Sequence, residues 1–253
     1  MIDIHSHVIH GIDDGPRTIK ESLQLLECAV QNGIDTMIAT PHYNPYYTNE
    51  KETVLTQLEC LKQAVRAHDL PINLLSGQEI WIHDTLLEHY KLGKLLTLTD
   101  SRYMLIEFPP GEIPYYAESL FYELEALGIK PIIAHPERNV AFLESPDKLY
   151  RLLQKGALTQ LTSSSLLGLF GKRTQAFSHE LIQADWIHFV ATDAHNIEKR
   201  PFHLNEAYEV IALEYGLEQL DYFRMNALVV IEDRPLRPRD IKQIVRKKRF
   251  GVF

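Results

Sequence analysis

Two short runs, His5-Ser6-His7 and Asp193-Ala194-His195, each place a pair of metal-competent side chains two positions apart. In an extended segment such residues project to the same side, so each pair can present two ligands to one ion. Between the pairs lie His42, Glu79, Glu107 and His135. Imidazoles mixed with carboxylates, with no thiolate, suit Mn2+, Fe2+ or Zn2+ better than a soft ion. These eight candidates, His5, His7, His42, Glu79, Glu107, His135, Asp193 and His195, exceed what one ion takes. A cluster of two or three ions is expected, with Glu79 as the bridging carboxylate because its strand offers no other ligand. The chain has 12 histidines, and not all belong to such a cluster. His68, His89, His179 and His188 read as helix, loop or core residues.

The elements that must position these groups follow from periodicity. Short apolar runs predict strands over Met1–Ile4, Thr36–Thr40, Ile72–Leu75, Tyr103–Phe108, Lys130–Ala134, Leu158–Thr162 and Ile187–Thr192. Helical spacing recurs between them: Ile19, Leu23, Leu26 and Val30; Tyr116, Leu120, Leu124 and Leu127; Leu204, Tyr208, Ile211 and Tyr215. Strands alternating with helices imply a parallel sheet, and seven such units suggest a closed or nearly closed barrel over a doubly wound open sheet. Six of the seven expected strands end in a candidate ligand. In parallel β/α barrels the loops after the strands share one mouth, so these ligands would meet there. The sixth strand instead delivers Ser163, Ser164 and Ser165.

The same pieces carry a family resemblance. Ile4-His5-Ser6-His7, Ala39-Thr40-Pro41-His42, Gly77-Gln78-Glu79, Ile106-Glu107-Phe108, Ala134-His135-Pro136-Glu137-Arg138 and Thr192-Asp193-Ala194-His195-Asn196 resemble, in order, the PHP (polymerase and histidinol phosphatase) family. Asp13-Asp14-Gly15, the run Ile106–Pro109 and the ending Phe250–Phe253 are similar to its bacterial protein-tyrosine phosphatase branch, linked to capsule and exopolysaccharide synthesis. Glu107 stands where many members carry histidine, and the tyrosine phosphatase branch resembles this sequence in that departure. The resemblance implies a distorted (β/α)7 TIM-like barrel, the PHP fold, with three ions, usually manganese. It implies His5, His7, Glu79 and Asp193 around one ion, and Glu79, Glu107 and His135 around a second. His42 and His195 would hold the third, with Asp14 nearby as ligand or acid and Asp13 as its rival for that position. It also implies a tyrosine-phosphorylated substrate, the tail of a bacterial tyrosine kinase.

Arg138 and Arg200 follow the fifth and seventh strand ends closely enough to enter the mouth. A guanidinium matches phosphate oxygens in a bidentate way, whereas the bland role is pairing with surface carboxylates. Cys60–Arg66 fits the Cys-x5-Arg pattern of thiol-dependent tyrosine phosphatases, but its five intervening residues are helix formers without glycine, so Cys60 reads as helix packing.

The remaining numbers narrow the class. A net charge of −8 gives no basic field for nucleic acid. Two cysteines make no disulfide framework and suit a reducing cytoplasm. No apolar run approaches the ~20 residues that span a bilayer, and the N-terminus lacks a signal-peptide pattern. One domain over residues 1–253 is expected, with a short basic tail from about 246 to 253. Competing functions are another PHP phosphoesterase, acting on histidinol phosphate or a small metabolite, and a non-catalytic phosphotyrosine-binding module.

Overall fold

The structure, a computed structural model, describes residues 1–237 and 239–244; the expected basic tail and the ending Phe250–Phe253 lie outside these. Among the described residues the strands are β1 (Ile2–Ser6), β2 (Thr36–Ala39), β3 (His42–Tyr43), β4 (Asn73–Ser76), β5 (Glu79–Trp81), β6 (Tyr103–Glu107), β7 (Lys130–Ala134), β8 (Leu158–Thr162) and β9 (Phe189–Ala191). The helices are α1 (Ile19–Gln31), α2 (Lys51–Ala67), α3 (Leu86–Lys91), α4 (Ala117–Ala126), α5 (Val140–Glu144), α6 (Pro146–Gln154), α7 (Ser163–Leu166), α8 (Lys172–Gln183), α9 (Leu204–Tyr215) and α10 (Leu217–Ile231). The seven expected strands are all present within a few residues of their predicted bounds. Two short ones, β3 and β5, were not anticipated.

Every pairing between these strands is parallel, in two sheets of order β1-β2-β4 and β3-β5-β6-β7-β8-β9. The division has a local cause. Pro41 has no N–H to give a ladder, so the run beginning at Thr36 stops at Ala39 and restarts at His42. Gly77 interrupts the next run where Ile38 and Leu98 press on the backbone; a Cβ there would lie 2.7 Å from Ile38 Cγ2 and 2.9 Å from Leu98 Cδ2. Beyond each break the chain enters the second sheet. There His42 stands in register with Glu79.

At the other side, β1 and β9 run together at their C-terminal ends. Ser6 bridges to Ala194, His7 N–H donates to Ala194 O at 2.8 Å, and Asp193 N–H donates to His5 O at 2.9 Å. The buried Asp3 carboxylate accepts from Thr192 N–H at 3.0 Å and from its hydroxyl. The two paired-ligand runs therefore lie side by side.

Side chains alternate along the strands between two apolar clusters, as a period of two requires. Ile4, Ile38, Leu105, Ile132, Leu158 and Phe189 share an inner cluster with Ala227 and Val230 of α10. Met37, Met104, Ile133 and Val190 face outward to the helices. Helix α2 buries Val54, Leu58, Leu61 and Val65, whereas Leu55 is 39% exposed. Cys60 is helical as expected, but it is exposed and not among the residues the helix buries.

Leu105 is wholly buried in the inner cluster, midway along β6. Leu105→Ala should cost about 2–5 kcal/mol in urea unfolding of the metal-free protein. A loss below about 1 kcal/mol would show that the cluster beneath the site does not support it.

Candidate metal centre

All eight candidate ligands and Asp14 converge at the C-terminal ends of the strands, and all of them except His135 fall in three overlapping groups. His5, His7, Glu79 and Asp193 form one; His42, Glu79 and Glu107 a second; His7, Asp14, His42 and His195 a third. Within each, one potential ligand atom per residue lies within 4.8 Å of the others. Glu79 belongs to two groups, as a bridging carboxylate would. His42 also belongs to two, its Nδ1 facing Glu79 and Glu107 and its Nε2 facing Asp14. His135 Nε2 reaches Glu79 Oε1 at 2.8 Å and Glu107 Oε1 at 3.8 Å, on the side of the second group.

Local backbone features aim these side chains. Between Asp3 and Ser6, β1 carries one residue more than β2. Such a bulge lets neighbouring residues share a side. Ile4 joins the inner cluster, and the adjacent His5 also turns inward to Glu79. The chain leaves β7 through His135 at φ +32° and passes β9 through Asp193 at φ +55°. Non-glycine residues there cost of order 1–3 kcal/mol, and such strain persists where the surroundings enforce it. His135 also precedes Pro136, a position that ordinarily favours extended backbone.

Hydrogen bonds behind the ligands fix their ring nitrogens. The Asp13 carboxylate can only accept, so His7 Nδ1–H donates to its Oδ2 at 2.8 Å. His5 Nδ1–H donates to Gln160 Oε1 at 2.8 Å, and His195 Nδ1–H to the Asp193 carbonyl at 2.9 Å. Each Nε2 then keeps its lone pair toward the site. The Nε2 atoms of His5 and His7 face each other at 3.2 Å, and both lie within 3.4 Å of Glu79 Oε2 and Asp193 Oδ1. Glu79 Oε2, Asp193 Oδ1 and His42 Nδ1 are buried without a hydrogen-bond partner. Lone pairs and carboxylate oxygens converging on one point, away from water, need a cation between them. The donor set therefore fits divalent metal, with the outer partners that metal-binding histidines ordinarily carry.

The charges lead to the same conclusion. Burial lowers the His42 imidazole, but Glu79 more than reverses this, and the group rises to about 10. His5 and His7 are raised against their burial by Glu79 and Asp193 and by Asp13 respectively. Burial and the neighbouring Glu79 push the Glu107 carboxyl up to about 8. Without metal, the cluster thus gathers protons to balance its carboxylates. His135 and His195 are held neutral, each near 4, by burial and by Arg138 and His7 respectively.

Asp13 and Asp14 divide the work. Asp13 holds His7 from behind and also accepts from Gly15 N–H at 3.0 Å. Asp14 Oδ1 lies 3.4 Å from His42 Nε2 and 3.2 Å from His195 Nε2, and its side chain is 45% exposed. Arg138 and Arg200 do enter the mouth. Both donate to Asp193 Oδ2, so they pair with a buried candidate ligand instead of a surface carboxylate. Arg200 Nη1 also lies 2.9 Å from His195 Nε2. Sequence reasoning missed the supporting roles of Asp13, Gln160 and Asp3. Only Asp13, beside Asp14, had any signal. The four histidines read as structural all have ordinary partners: His68 with Ala64 O, His89 with Tyr43, His179 with Tyr215, His188 with Thr159.

Two outcomes follow. Asp13→Ala should weaken divalent metal binding about 10–100-fold, measured by calorimetric titration; unchanged affinity would remove its role behind His7. His42, raised to about 10, is protonated at neutral pH in the metal-free protein, so a cation must displace its proton. Titrating Mn2+ into that protein in buffers of different ionisation enthalpy should show proton release at neutral pH, and affinity should fall as pH falls. Zero release would contradict the assignment.

With this geometry, comparison with known proteins is direct. Residues 1–232 match the family model for capsular polysaccharide synthesis proteins CpsB/CapC. The chain is 42% identical over 254 residues to tyrosine-protein phosphatase YwqE of Bacillus subtilis (strain 168), spanning 100% of both chains. It is 31% identical over 242 residues to tyrosine-protein phosphatase CpsB of Streptococcus pneumoniae, spanning 92% of this chain and 99% of that one. A solved chain from crystal structures of YwqE from Bacillus subtilis and CpsB from Streptococcus pneumoniae, described as metal-dependent tyrosine phosphatases, superposes with a TM-score of 0.95 at 42% identity. That match covers 97% of this chain and 100% of the other. The chain belongs to the CpsB/CapC family.

Proposed function

We propose that this chain is a metal-dependent protein-tyrosine phosphatase acting in the synthesis of capsular or extracellular polysaccharide. The observation that carries the reading is the overlap of three ligand groups at one mouth, where two guanidiniums also meet one candidate ligand, Asp193. The family and the names of its relatives give the same chemistry.

The ligands would be His5, His7, Glu79 and Asp193 for one ion, Glu79, Glu107 and His135, with His42 close by, for a second, and His42, His195 and Asp14 for a third. Manganese suits this hard and intermediate donor set, as do iron and zinc. Divalent metal bound there supplies an acidified water and neutralises phosphate charge. Arg138 and Arg200 bind and orient the phosphate oxygens at the mouth and stabilise the charge that develops on them. Asp14 acts as a ligand. Its burial would raise its carboxyl, but His195 and His42 hold it well below the usual range, so it carries no proton to donate. A tyrosine phenolate, with a parent pKa of about 10, leaves with less help from an acid than an alkoxide does.

The substrate would be a tyrosine-phosphorylated protein, the tail of a bacterial tyrosine kinase. Two free cysteines, Cys28 and Cys60, support work in a reducing cytoplasm. One PHP domain over the whole chain, with a basic tail, accommodates these parts. So does a distorted (β/α)7 barrel. β2 with β3, and β4 with β5, then count as single bent strands, and the contacts between β1 and β9 join the ring's ends.

Turnover of a phosphotyrosyl peptide against histidinol phosphate, with Mn2+ present, tests the reading. Preference for the peptide supports it, and preference for histidinol phosphate overturns it. Arg138→Ala should lower kcat about 10²–10³-fold with metal content unchanged. Unaltered turnover would remove Arg138 from the site. Cys60→Ser should keep full activity. Lost activity with an intact metal content would move the chemistry to the thiol.

A further inference from the structure

The β8 end supplies no candidate ligand, yet it is built into the site. Ser165 Oγ–H donates to Glu137 Oε1 at 2.7 Å, and Thr162 N–H donates to the same oxygen at 3.1 Å. Glu137 is wholly buried and lies in the turn that carries His135 and Arg138. The chain beyond α7 is then tied into a tight loop. Gly168 N–H donates to Ser165 O at 3.1 Å, Leu169 N–H to Ser164 O at 3.0 Å, and Gly171 N–H to Gly168 O at 2.9 Å. Gly168 and Gly171 adopt φ of +82° and +92°, which the turns require and other residues resist.

This loop lifts two large apolar side chains to the surface. Leu169 is 60% exposed and Phe170 40%. The Phe170 ring sits against the Arg138 guanidinium, whose centre is 5.2 Å from the ring centroid. One guanidinium thus touches Asp193 at the metal cluster and an exposed aromatic ring beside it.

We propose that Phe170, with Leu169 beside it, is the wall that receives the substrate's aromatic ring and so favours tyrosyl over alkyl phosphates. The inference rests on the phosphatase function proposed above. A phosphate held by Arg138 and Arg200 directs its oxygens at the guanidiniums and the ligand groups. Its ester group must then leave the cluster toward the loops. Phe170 is the apolar surface next to Arg138, and the half-open ring can offer an edge or face to a second ring. An alkyl chain gains only contact area there, whereas an aryl group also gains the aromatic pairing. The sixth unit would then supply specificity where the other six supply ligands.

The test separates the ring from the phosphate. Phe170→Ala should lower kcat/KM for a phosphotyrosyl peptide about tenfold, the scale of one aromatic pair and its buried area. Inhibition by inorganic phosphate, which has no ring, should keep its Ki within about twofold, and Phe170→Tyr should restore peptide turnover. Metal content measured on each variant guards against a damaged cluster. If phosphate Ki rises in step with the loss, Phe170 only holds Arg138 in place and the proposal fails. Unchanged kcat/KM in Phe170→Ala overturns it as well. Wild-type protein that binds phosphate but hydrolyses no phosphotyrosyl peptide removes both the phosphatase reading and this inference; failure confined to the Phe170 variant removes the inference alone.

Discussion

Glu79 and Asp193 are carboxylates placed where water does not reach, a few ångströms from each other's partners. Burial alone would drive both to take up protons. Instead, each is surrounded by groups that supply positive charge or can be replaced by it. His5, His7, His42 and His135 face Glu79, while Arg138 and Arg200 close on Asp193. The fold meets this electrostatic demand through strand ends that share one mouth. The bulge in β1, the left-handed backbone at His135 and Asp193, and the breaks at Pro41 and Gly77 all aim or space members of this set. Each departs from regular β/α geometry, and each lies at the site or just beneath it.

Much of this arrangement is legible in the sequence. His-x-His and Asp-x-His at predicted strand ends mark two candidate ligand pairs, and the two runs do lie side by side, joined through Ser6 and Ala194. What is not legible is of two kinds. Strands β3 and β5 have two and three residues, too few to show periodicity, yet their register sets His42 beside Glu79. The division into two sheets follows from these short pieces. The other kind is long-range polar support. Gln160 lies 155 residues from His5, and Asp3 meets Thr192 across 189 residues. A lone glutamine in a buried strand gives no hint of its partner. Asp13 and Asp14 are indistinguishable as letters and differ only in which way the loop turns them.

The β8 unit illustrates how a repeated scaffold divides its labour. Its strand packs like the others, with Leu158 in the inner cluster and Leu161 toward the helices. Its end carries the Ser165 hydroxyl and the Thr162 N–H, which both bind Glu137, and a loop that bears Phe170 against Arg138. The candidate ligands lie at the strand ends and the proposed selectivity in the loops beyond them, an arrangement in which members of one fold can share a cluster and differ in substrate.

The central claim is that Glu79 is shared between neighbouring ions in one cluster. Metal bound per chain, measured by elemental analysis after loading metal-stripped protein with Mn2+, tests this directly when wild type and Glu79→Gln are compared. The account predicts more than one ion in the wild type, and the loss of more than one from the single substitution, with the fold intact by circular dichroism. A variant that loses one ion only, or none, would contradict a bridging Glu79.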